Sequence, residues 1–432
     1  MGYRSRNKAK FGWCLYDWAN SAFATVILAA VLPVYFASLV PEGGARLFWS
    51  SQPVPATALW GYIVSLSMAL VAIVAPGLGN LADRRGWRLR LLIFFCLLGS
   101  LATCGLFFAG PGQYLLAAAL FILSNIGFAA GNIFYNAYLT DLASGHEADR
   151  LSARGFALGY IGGGLMLLIV FLLIQQHAFF GLPDKGAASR LGFLLTGAWW
   201  FGFALPAFAW LKDVPIKAGA AHALRSPRDY LKAFADLRRY RDLCRFLIAF
   251  LLYNDGIQTI IAVSAIFARE ELGLGTGTIL GCFLMIQFVA MPGALLFSRL
   301  AGRFNTKRAV MASLILFTMI AVYASVMRSA LEFWILGFAV AIVLGGSQAL
   351  SRSLFSSMVP KQRSAEFFGF YAISSKFASI FGPLTFALFI ELTGSNRIAI
   401  LALAIFFVIG IVLLIGVDVE KGRNQAEANH QA

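Results

Sequence analysis

The chain contains 432 residues, of which 59% are hydrophobic and 13% are charged, and its 35 Lys and Arg outnumber 20 Asp and Glu to give a net charge of +15. A soluble fold could not bury this much apolar surface, so the composition excludes an ordinary soluble protein and predicts an all-α integral membrane protein. Nucleic-acid binding is disfavoured, because the basic residues are dispersed among short loops and are not gathered on one face.

Twelve apolar segments are each long enough, at about 1.5 Å per helical residue, to cross roughly 30 Å of hydrocarbon. Six lie in the first half, at residues 13–40, 57–82, 88–110, 114–140, 154–177 and 190–212. Six lie in the second half, at residues 244–268, 276–300, 307–328, 331–358, 365–390 and 396–416.

The longest polar stretch lies between these two sets of spans and predicts the domain organisation. We expect a six-helix bundle over 1–212, a cytosolic linker over 213–243, a second six-helix bundle over 244–418 and a cytosolic tail over 419–432. Ser226 and Pro227 resemble the start of an amphipathic helix within the linker.

The distribution of basic residues predicts the orientation of the spans. With the N-terminus in the cytosol, 28 of the 35 Lys and Arg fall on the cytosolic side, six fall on the other side, and Lys376 lies inside a span. An excess of this size follows the positive-inside rule and places both termini in the cytosol. The expected location is a bacterial cytoplasmic membrane, with a vacuole-type membrane as the alternative.

A polar cluster occurs twice in this apolar sequence. Its first copy is Asp17, Asn20 and Ser21, and its second copy is Asp255, Gln258 and Thr259. In each copy the side chains at i, i+3 and i+4 share one helix face. Because an ionisable residue inside a membrane is costly unless it meets a partner or water, both copies are interpreted as functional. Their recurrence predicts two pseudo-symmetric bundles that enclose a site, as in many secondary transporters.

Lys376 is a third ionisable residue within a predicted span. Counted at 1.5 Å per residue, Asp17, Asp255 and Lys376 lie about 10 to 15 Å deep and can share one layer. The carboxylates are predicted to hold a substrate ammonium or coupling protons. Lys376 and Arg352 are predicted to bind a carboxylate of the substrate, and Asn136 is a further polar contact. The alternatives are a fixed Asp–Lys ion pair that only locks helices together and, for each amide or hydroxyl, a bond between helices.

The loop between the second and third spans has the sequence GNLADRRGWR, over residues 79–88. It resembles the G-x-L-x-D-R-x-G-R signature of the major facilitator superfamily, with its matching residues at Gly79, Asp83, Arg84, Gly86 and Arg88. The resemblance implies the major facilitator fold and a latch between the two halves, centred on Asp83, that gates alternating access. The alternative is a loop that only fixes topology.

Further segments resemble one branch of that superfamily, the vacuolar amino-acid effluxer-like family with its bacterial members. The matching segments are WCLYDWANSAFATV (13–26), RLSARGFALGYIGGG (150–164), FLLYNDGIQT (250–259) and the stretch from GGSQALSRS to FASIFGP (345–383). The resemblance implies a transporter, and its fungal members imply efflux of amino acids from a vacuole.

Glycines and one proline are expected to shape the helices. Five glycines of the fifth span are predicted to allow close helix packing, namely Gly155, Gly159, Gly162, Gly163 and Gly164. Pro33 is expected to kink the first span.

The sequence therefore predicts a secondary active transporter of a small polar organic solute, possibly coupled to protons and monomeric in the bilayer. A non-transporting receptor derived from a transporter and an integral-membrane lipid enzyme are the alternatives, although no catalytic constellation or nucleotide-binding loop is visible. No cofactor or metal is implied, because the four histidines show no ligand spacing. Asp141, Glu147 and Asp149 are interpreted as a solvated face of a cytosolic loop.

Overall fold

A computed structural model describes residues 3–41, 43–45, 53–54, 56–213, 236–377 and 381–428. These residues form helices and connecting turns, apart from an isolated antiparallel bridge between Ala45 and Val54. The predicted linker helix falls mostly on residues 214–235, which lie outside the described ranges, and the side chain of Lys376 is likewise not described.

The first half of the sequence forms helices that follow the predicted spans. They are α1 (Tyr3–Ala22), a π-helix (Phe23–Ala30), α2 (Leu32–Leu39), α3 (Ala56–Arg85), α4 (Arg88–Gly105), α5 (Tyr114–Ala137), α6 (Leu139–Leu142), α7 (His146–Gln175) and α8 (Lys185–Trp210). Both α1 and α7 begin well before the apolar segments from which they were predicted, because polar helical turns extend beyond the hydrocarbon.

The second half also follows the predicted spans. Its helices are α9 (Arg241–Glu270), α10 (Thr276–Phe304), α11 (Thr306–Val326), α12 (Ala330–Ser357), α13 (Ser364–Phe377), α14 (Phe381–Thr393), α15 (Asn396–Ala402), α16 (Ala404–Ile415) and α17 (Val419–Ala428). The predicted span 365–390 is covered by α13 and α14, with residues 378–380 outside the description.

Ten helical segments of the described residues are long and apolar enough to cross a membrane, and one of them, Asn396–Ile415, is formed by α15 and α16 together. An eleventh span is a bent pair, in which residues 5–30 and Leu32–Leu39 meet at 45°. At the break the Val31 N–H donates to the carbonyl of Val26, five residues back, and Pro33 lies in the first turn of α2, where its missing N–H costs little. The kink predicted at Pro33 is therefore present.

The chain packs as two compact units. The first lies within Met1–Ala75, Gly86–Tyr135 and Leu158–Pro215, and the second within Pro76–Arg85, Asn136–Ala157 and Ile216–Ala432. The second unit thus includes one end of α3, the end of α5 and the first turns of α7 together with the helices of the second half. The domain boundaries predicted from the linker remain a prediction.

Glycines bring α7 close to α1 in the first unit. A Cβ atom on Gly162 would collide with the carbonyl of Trp18, and one on Gly163 would collide with the hydroxyl of Thr25. A Cβ atom on Gly159 would approach the hydroxyl of Ser21. Small residues therefore allow the two backbones to approach, as predicted for these three of the five glycines.

Replacing Gly162 by alanine should lower stability, because the added methyl group has to displace backbone of α1. We expect a loss of about 1–3 kcal/mol, measured by thermal unfolding in detergent. Gly202→Ala in α8 is the control, since a Cβ atom there meets no atom within 4 Å. Equal melting temperatures for the two variants would contradict the packing described here.

Candidate functional site

The polar cluster of α1 is buried within the first unit. Asp17 is 7% exposed and Asn20 is 3% exposed. The Nδ2 atom of Asn20 donates to Oδ1 of Asn132 on α5 at 2.9 Å. Asn20 thus makes a hydrogen bond between two helices, which is the alternative role given above for each amide. Half-buried Ser21 lies beside Gly159. This cluster therefore places one carboxylate and one hydroxyl where α1 meets α7.

Aromatic contacts hold α1 in this orientation. The Trp13 indole N–H donates to the carbonyl of Tyr135 at 2.8 Å, and the two rings stack with centroids 4.5 Å apart. The ring of Tyr16 also stacks on Tyr135, at 5.0 Å. Stacked rings add directional attraction to the burial of their apolar surface, so they fix the face of α1 that carries Asp17.

The second polar cluster lies where α9 meets the start of α14. Asp255 is fully buried, and its Oδ2 atom accepts from the backbone N–H of Gly382 at 2.9 Å. Its other oxygen and the buried Thr259 hydroxyl have no hydrogen-bond partner among the described residues. Both atoms lie next to the same point, because a Cβ atom on Gly382 would meet each of them. Two buried oxygen atoms are thus left with bonding capacity at membrane depth.

Neighbouring residues of α9 complete this second cluster. The Nδ2 atom of Asn254 lies 3.5 Å from the carbonyl oxygen of Ser375 on α13. Gln258 is half-buried one residue before Thr259. The cluster therefore lies against both α13 and α14, although the predicted share of Lys376 in it remains a prediction.

A third group of polar residues lies within the second unit, and we call it the carboxylate–arginine cluster. It is built around four ionisable residues: Asp83, Asp149, Arg352 and Glu366. Its members come from both halves of the sequence.

Asp83 binds the N-terminus of α13. Its two carboxylate oxygens accept from the backbone N–H groups of Ala365, at 3.2 Å, and Glu366, at 2.8 Å. The first N–H groups of a helix have no partner within it and carry partial positive charge, so a carboxylate is favoured there. Gly79 lies one turn earlier on α3, and its Cα packs against the backbone of Ala365.

Glu366 is fully buried and is hydrogen-bonded by two neighbours, of which Arg363 carries the opposing charge. It accepts from Asn80 of α3 at 3.1 Å and from two nitrogens of Arg363 at 2.7 and 3.0 Å. Burial lowers the pKa of the Arg363 guanidinium, but the hydrogen bonds and negative charge of Glu366 outweigh burial and raise it overall. Glu366 therefore links α3 to the start of α13 through a charge-assisted network.

The remaining motif residues end α3 and start α4. Gly86 has φ +63°, a left-handed conformation that glycine adopts without strain, and α4 begins two residues later at Arg88. Arg88 is 2% exposed, whereas Arg84 is exposed. Gly86 thus allows a tight turn between α3 and α4, and the gating role of the motif stays a prediction.

Arg352 is engaged by the first-half residues of the same unit. Its Nε and Nη2 atoms donate to the hydroxyl and carbonyl of Ser152, both at 2.9 Å, and Nη1 donates to Oδ1 of Asn136 at 3.3 Å. The guanidinium also lies 4.2 Å from the ring centroid of Phe156. Because Ser152 in turn donates to the carbonyl of Ala349 at 2.7 Å, α7 and α12 bond each other in both directions.

Asp149 corrects one sequence expectation. It is 1% exposed and accepts from the hydroxyls of Thr306, at 2.8 Å, and Ser353, so it does not belong to a solvated face. Asp141 and Glu147, with which it was grouped, are exposed as expected. The physical reason is the early start of α7. Because the helix begins at His146, Asp149 lies on the helix face that packs against α11 and α12.

Sequence reasoning missed Asp149, Ser152, Thr306, Ser353 and Glu366. One signal could have identified part of this set, because residues 149, 152 and 156 are spaced i, i+3 and i+7 and share one helix face. That signal requires α7 to begin before Asp149. The apolar pattern, which starts near residue 154, gives no reason to expect so early a start.

Comparison with known proteins identifies the family. The family model described as "Vacuole effluxer Atg22 like" matches residues 5–427. The chain belongs to this family. A Bacillus subtilis (strain 168) protein named "Uncharacterized MFS-type transporter YxiO" is 37% identical over 425 residues, which is 97% of each chain. Autophagy-related protein 22-1 of Penicillium rubens is 24% identical over 96% of this chain and 91% of its own length.

Solved structures confirm the fold class. The human organic anion transporter MFSD10 superposes with a TM-score of 0.72 at 17% identity, covering 96% of this chain and 100% of its own. The E. coli fucose:proton symporter FucP superposes with a TM-score of 0.72 at 12% identity, covering 96% and 99%. The protein is thus an all-α multi-pass membrane protein with the major facilitator fold, and its family and its 37% identical relative identify it as a transporter.

The bond between Asp149 and Ser353 should show energetic coupling. Asp149→Asn weakens an acceptor that two buried hydroxyls share, and we expect it to lower the free energy of unfolding by about 1–3 kcal/mol. Ser353→Ala should lower the free energy of unfolding by less than Asp149→Asn does. The double variant should lower it by less than the sum of the two single variants, because both single variants remove the same bond. Thermal unfolding in detergent measures all three. Glu427→Gln, at an exposed carboxylate of α17, is the control, and additive effects would contradict direct coupling.

Proposed function

We propose that this protein is a secondary active transporter that moves a small polar organic solute across the membrane by alternating access. The observation that carries the proposal is the buried carboxylate of Asp255, which has one oxygen unpartnered among the described residues and lies beside the equally unpartnered hydroxyl of Thr259. Within a membrane span, an ionisable side chain with free bonding capacity is by default interpreted as functional. A proton or a substrate donor satisfies it.

Amino acids are the solute class that the predicted residues suit best. An ammonium group matches the carboxylates of Asp17 and Asp255, and a carboxylate matches the cations of Lys376 and Arg352. Asn20, Ser21, Gln258 and Thr259 add hydrogen-bonding groups of both kinds. The family description "Vacuole effluxer" supports efflux as the direction to test first. In this proposal Arg352 meets the solute only after its bonds to Ser152 and Asn136 have broken.

The carboxylate–arginine cluster supplies the proposed gate. It joins residues 76–85 and 136–157, from the first half of the sequence, to α11, α12 and α13 of the second half. Its bonds are polar, so water replaces each of them at low net cost when the cluster opens. We propose that the cluster is closed in one access state and open in the other. Its proposed place is the cytosolic face, with both termini on that side.

The transport proposal predicts that Asp255→Asn abolishes coupled flux. Purified protein is first screened for amino acids, peptides and sugars that raise its melting temperature, because a ligand at 100 times its Kd adds about 2.7 kcal/mol to stability. Flux of the solute identified is then measured in proteoliposomes with and without a pH gradient. We expect Asp255→Asn to lose at least about tenfold in flux and to lose its response to the gradient.

Threonine variants supply the matched control for that experiment. Thr259→Val removes an unpartnered hydroxyl of the proposed site and should lower flux. Thr318→Val removes a hydroxyl that only bonds the carbonyl of Leu314 in its own helix, and it should leave flux unchanged. If Asp255→Asn transports like the wild type, Asp255 has no part in the mechanism.

The gate proposal predicts that Asp83→Asn opens the cluster more often. Ala349 is fully buried, so Ala349→Cys reports opening at a position distant in sequence from Asp83. In a background lacking Cys14, Cys96, Cys104, Cys244 and Cys282, we expect Asp83→Asn to raise the rate of maleimide labelling about tenfold, the effect of a 1.4 kcal/mol shift in the equilibrium. Glu427→Gln serves again as the control. An unchanged labelling rate would show that the Asp83 contact does not gate access.

A further inference from the structure

Three arginines surround a small cavity in the second unit that the transport proposal does not use. Arg150 and Arg154 lie in the first turns of α7, and Arg299 lies near the end of α10. The cavity has a volume of about 260 Å³, and Leu295 and Ser298 complete its lining. Two helices therefore contribute cationic groups to one space.

The charge of this cavity is not balanced by a salt bridge from any described carboxylate. All three arginines are exposed, and no salt bridge within the described part of the chain joins any of them to a carboxylate. Three guanidinium groups of like charge repel one another, so an anion is the expected occupant. Guanidinium groups pair with phosphate oxygens through two parallel N–H bonds, which makes a phosphate a good match for this lining.

The depth of the cavity selects a lipid as the source of that phosphate. Arg299 lies five residues before the end of α10 and Arg154 eight residues after the start of α7, and both helices are long enough to span the membrane. Leu295 lies one turn from Arg299 on the side toward the membrane interior, and neighbouring Leu296 is 51% exposed. The cavity thus places phosphate-binding groups beside a leucine surface suited to an acyl chain.

We propose that this cavity binds the phosphate headgroup of an anionic phospholipid, with its acyl chains along α10. The site lies next to the carboxylate–arginine cluster on the same helix. Asp149 and Ser152 of α7 bond α11 and α12, whereas Arg150 and Arg154 of the same turns face the cavity shared with α10. A bound headgroup bridges α7 and α10. Because α11 directly follows α10, this bridge also stabilises the bonds between α7 and α11.

Lipid titration of the full-length protein in neutral detergent tests this site without requiring transport. Short-chain phosphatidylglycerol, short-chain phosphatidylcholine and inorganic phosphate are added separately, and the melting temperature and the lipid retained in native mass spectra are recorded. We expect phosphatidylglycerol to raise the melting temperature of the wild type and to be retained. We expect phosphatidylcholine and phosphate to have at most a small effect.

The variant that tests the assignment is Arg150→Gln, Arg154→Gln and Arg299→Gln together. It should require at least about tenfold more phosphatidylglycerol for the same shift, since each basic residue near an anionic surface contributes on the order of 1 kcal/mol. The control removes three other exposed arginines, Arg239, Arg303 and Arg308, and should bind like the wild type. Arg299→Gln alone leaves α7 unchanged and decides the question if the triple variant does not fold.

Two results would overturn the proposal. Equal phosphatidylglycerol response in the wild type and in the folded site variants would show that the three arginines are not the binding groups. An equal response to inorganic phosphate or to phosphatidylcholine would show that the cavity does not select an anionic lipid. Neither result depends on the transport measurement with Asp255→Asn, so each proposal can be contradicted without the other.

Discussion

Inside a bilayer a polar side chain has no water to bond, and each one must meet a partner from the protein or face a solvated space. This constraint organises the whole chain. It explains why Asn20 bonds Asn132 and why Asp255 takes a backbone N–H group. Against that background, the Asp255 oxygen that has no partner among the described residues is the group that we propose for binding a proton or a substrate donor.

The two carboxylates that bind helix ends have a shared effect on the predicted eleventh span. Asp83 binds the first turn of α13, and Asp255 binds the first turn of α14. One carboxylate comes from the first half of the sequence and the other from α9 of the second half. The proposed gate and the proposed binding site are therefore attached to successive segments of the same stretch of chain.

The sequence was sufficient to predict an all-helical membrane fold, because a bilayer requires about 20 apolar residues per span and excludes charges from them. Among the described residues ten or eleven such spans are present, against twelve predicted. The sequence also singled out Asp255, since a charge inside an apolar segment is visible without coordinates. Asp83 was found differently, through the resemblance of its loop to the superfamily signature. The sequence was not sufficient for Asp149, because polar turns outside the hydrocarbon carry no hydropathy signal and hide where α7 begins. The partners of Arg352 were missed for another reason, since contacts between residues 200 positions apart leave no pattern in one sequence.

The close contact of Gly79 with Ala365 determines how α3 packs against α13. With backbone against backbone there is no flexible side chain to stretch or compress as the two helices separate. Hydrogen bonds from the helix end to Asp83 weaken steeply over a few tenths of an ångström, so a half-separated arrangement keeps neither the packing nor the bonds. We therefore expect the proposed gate to open in an all-or-none manner at this point, where a glycine with no chemistry of its own leaves no side chain to adjust.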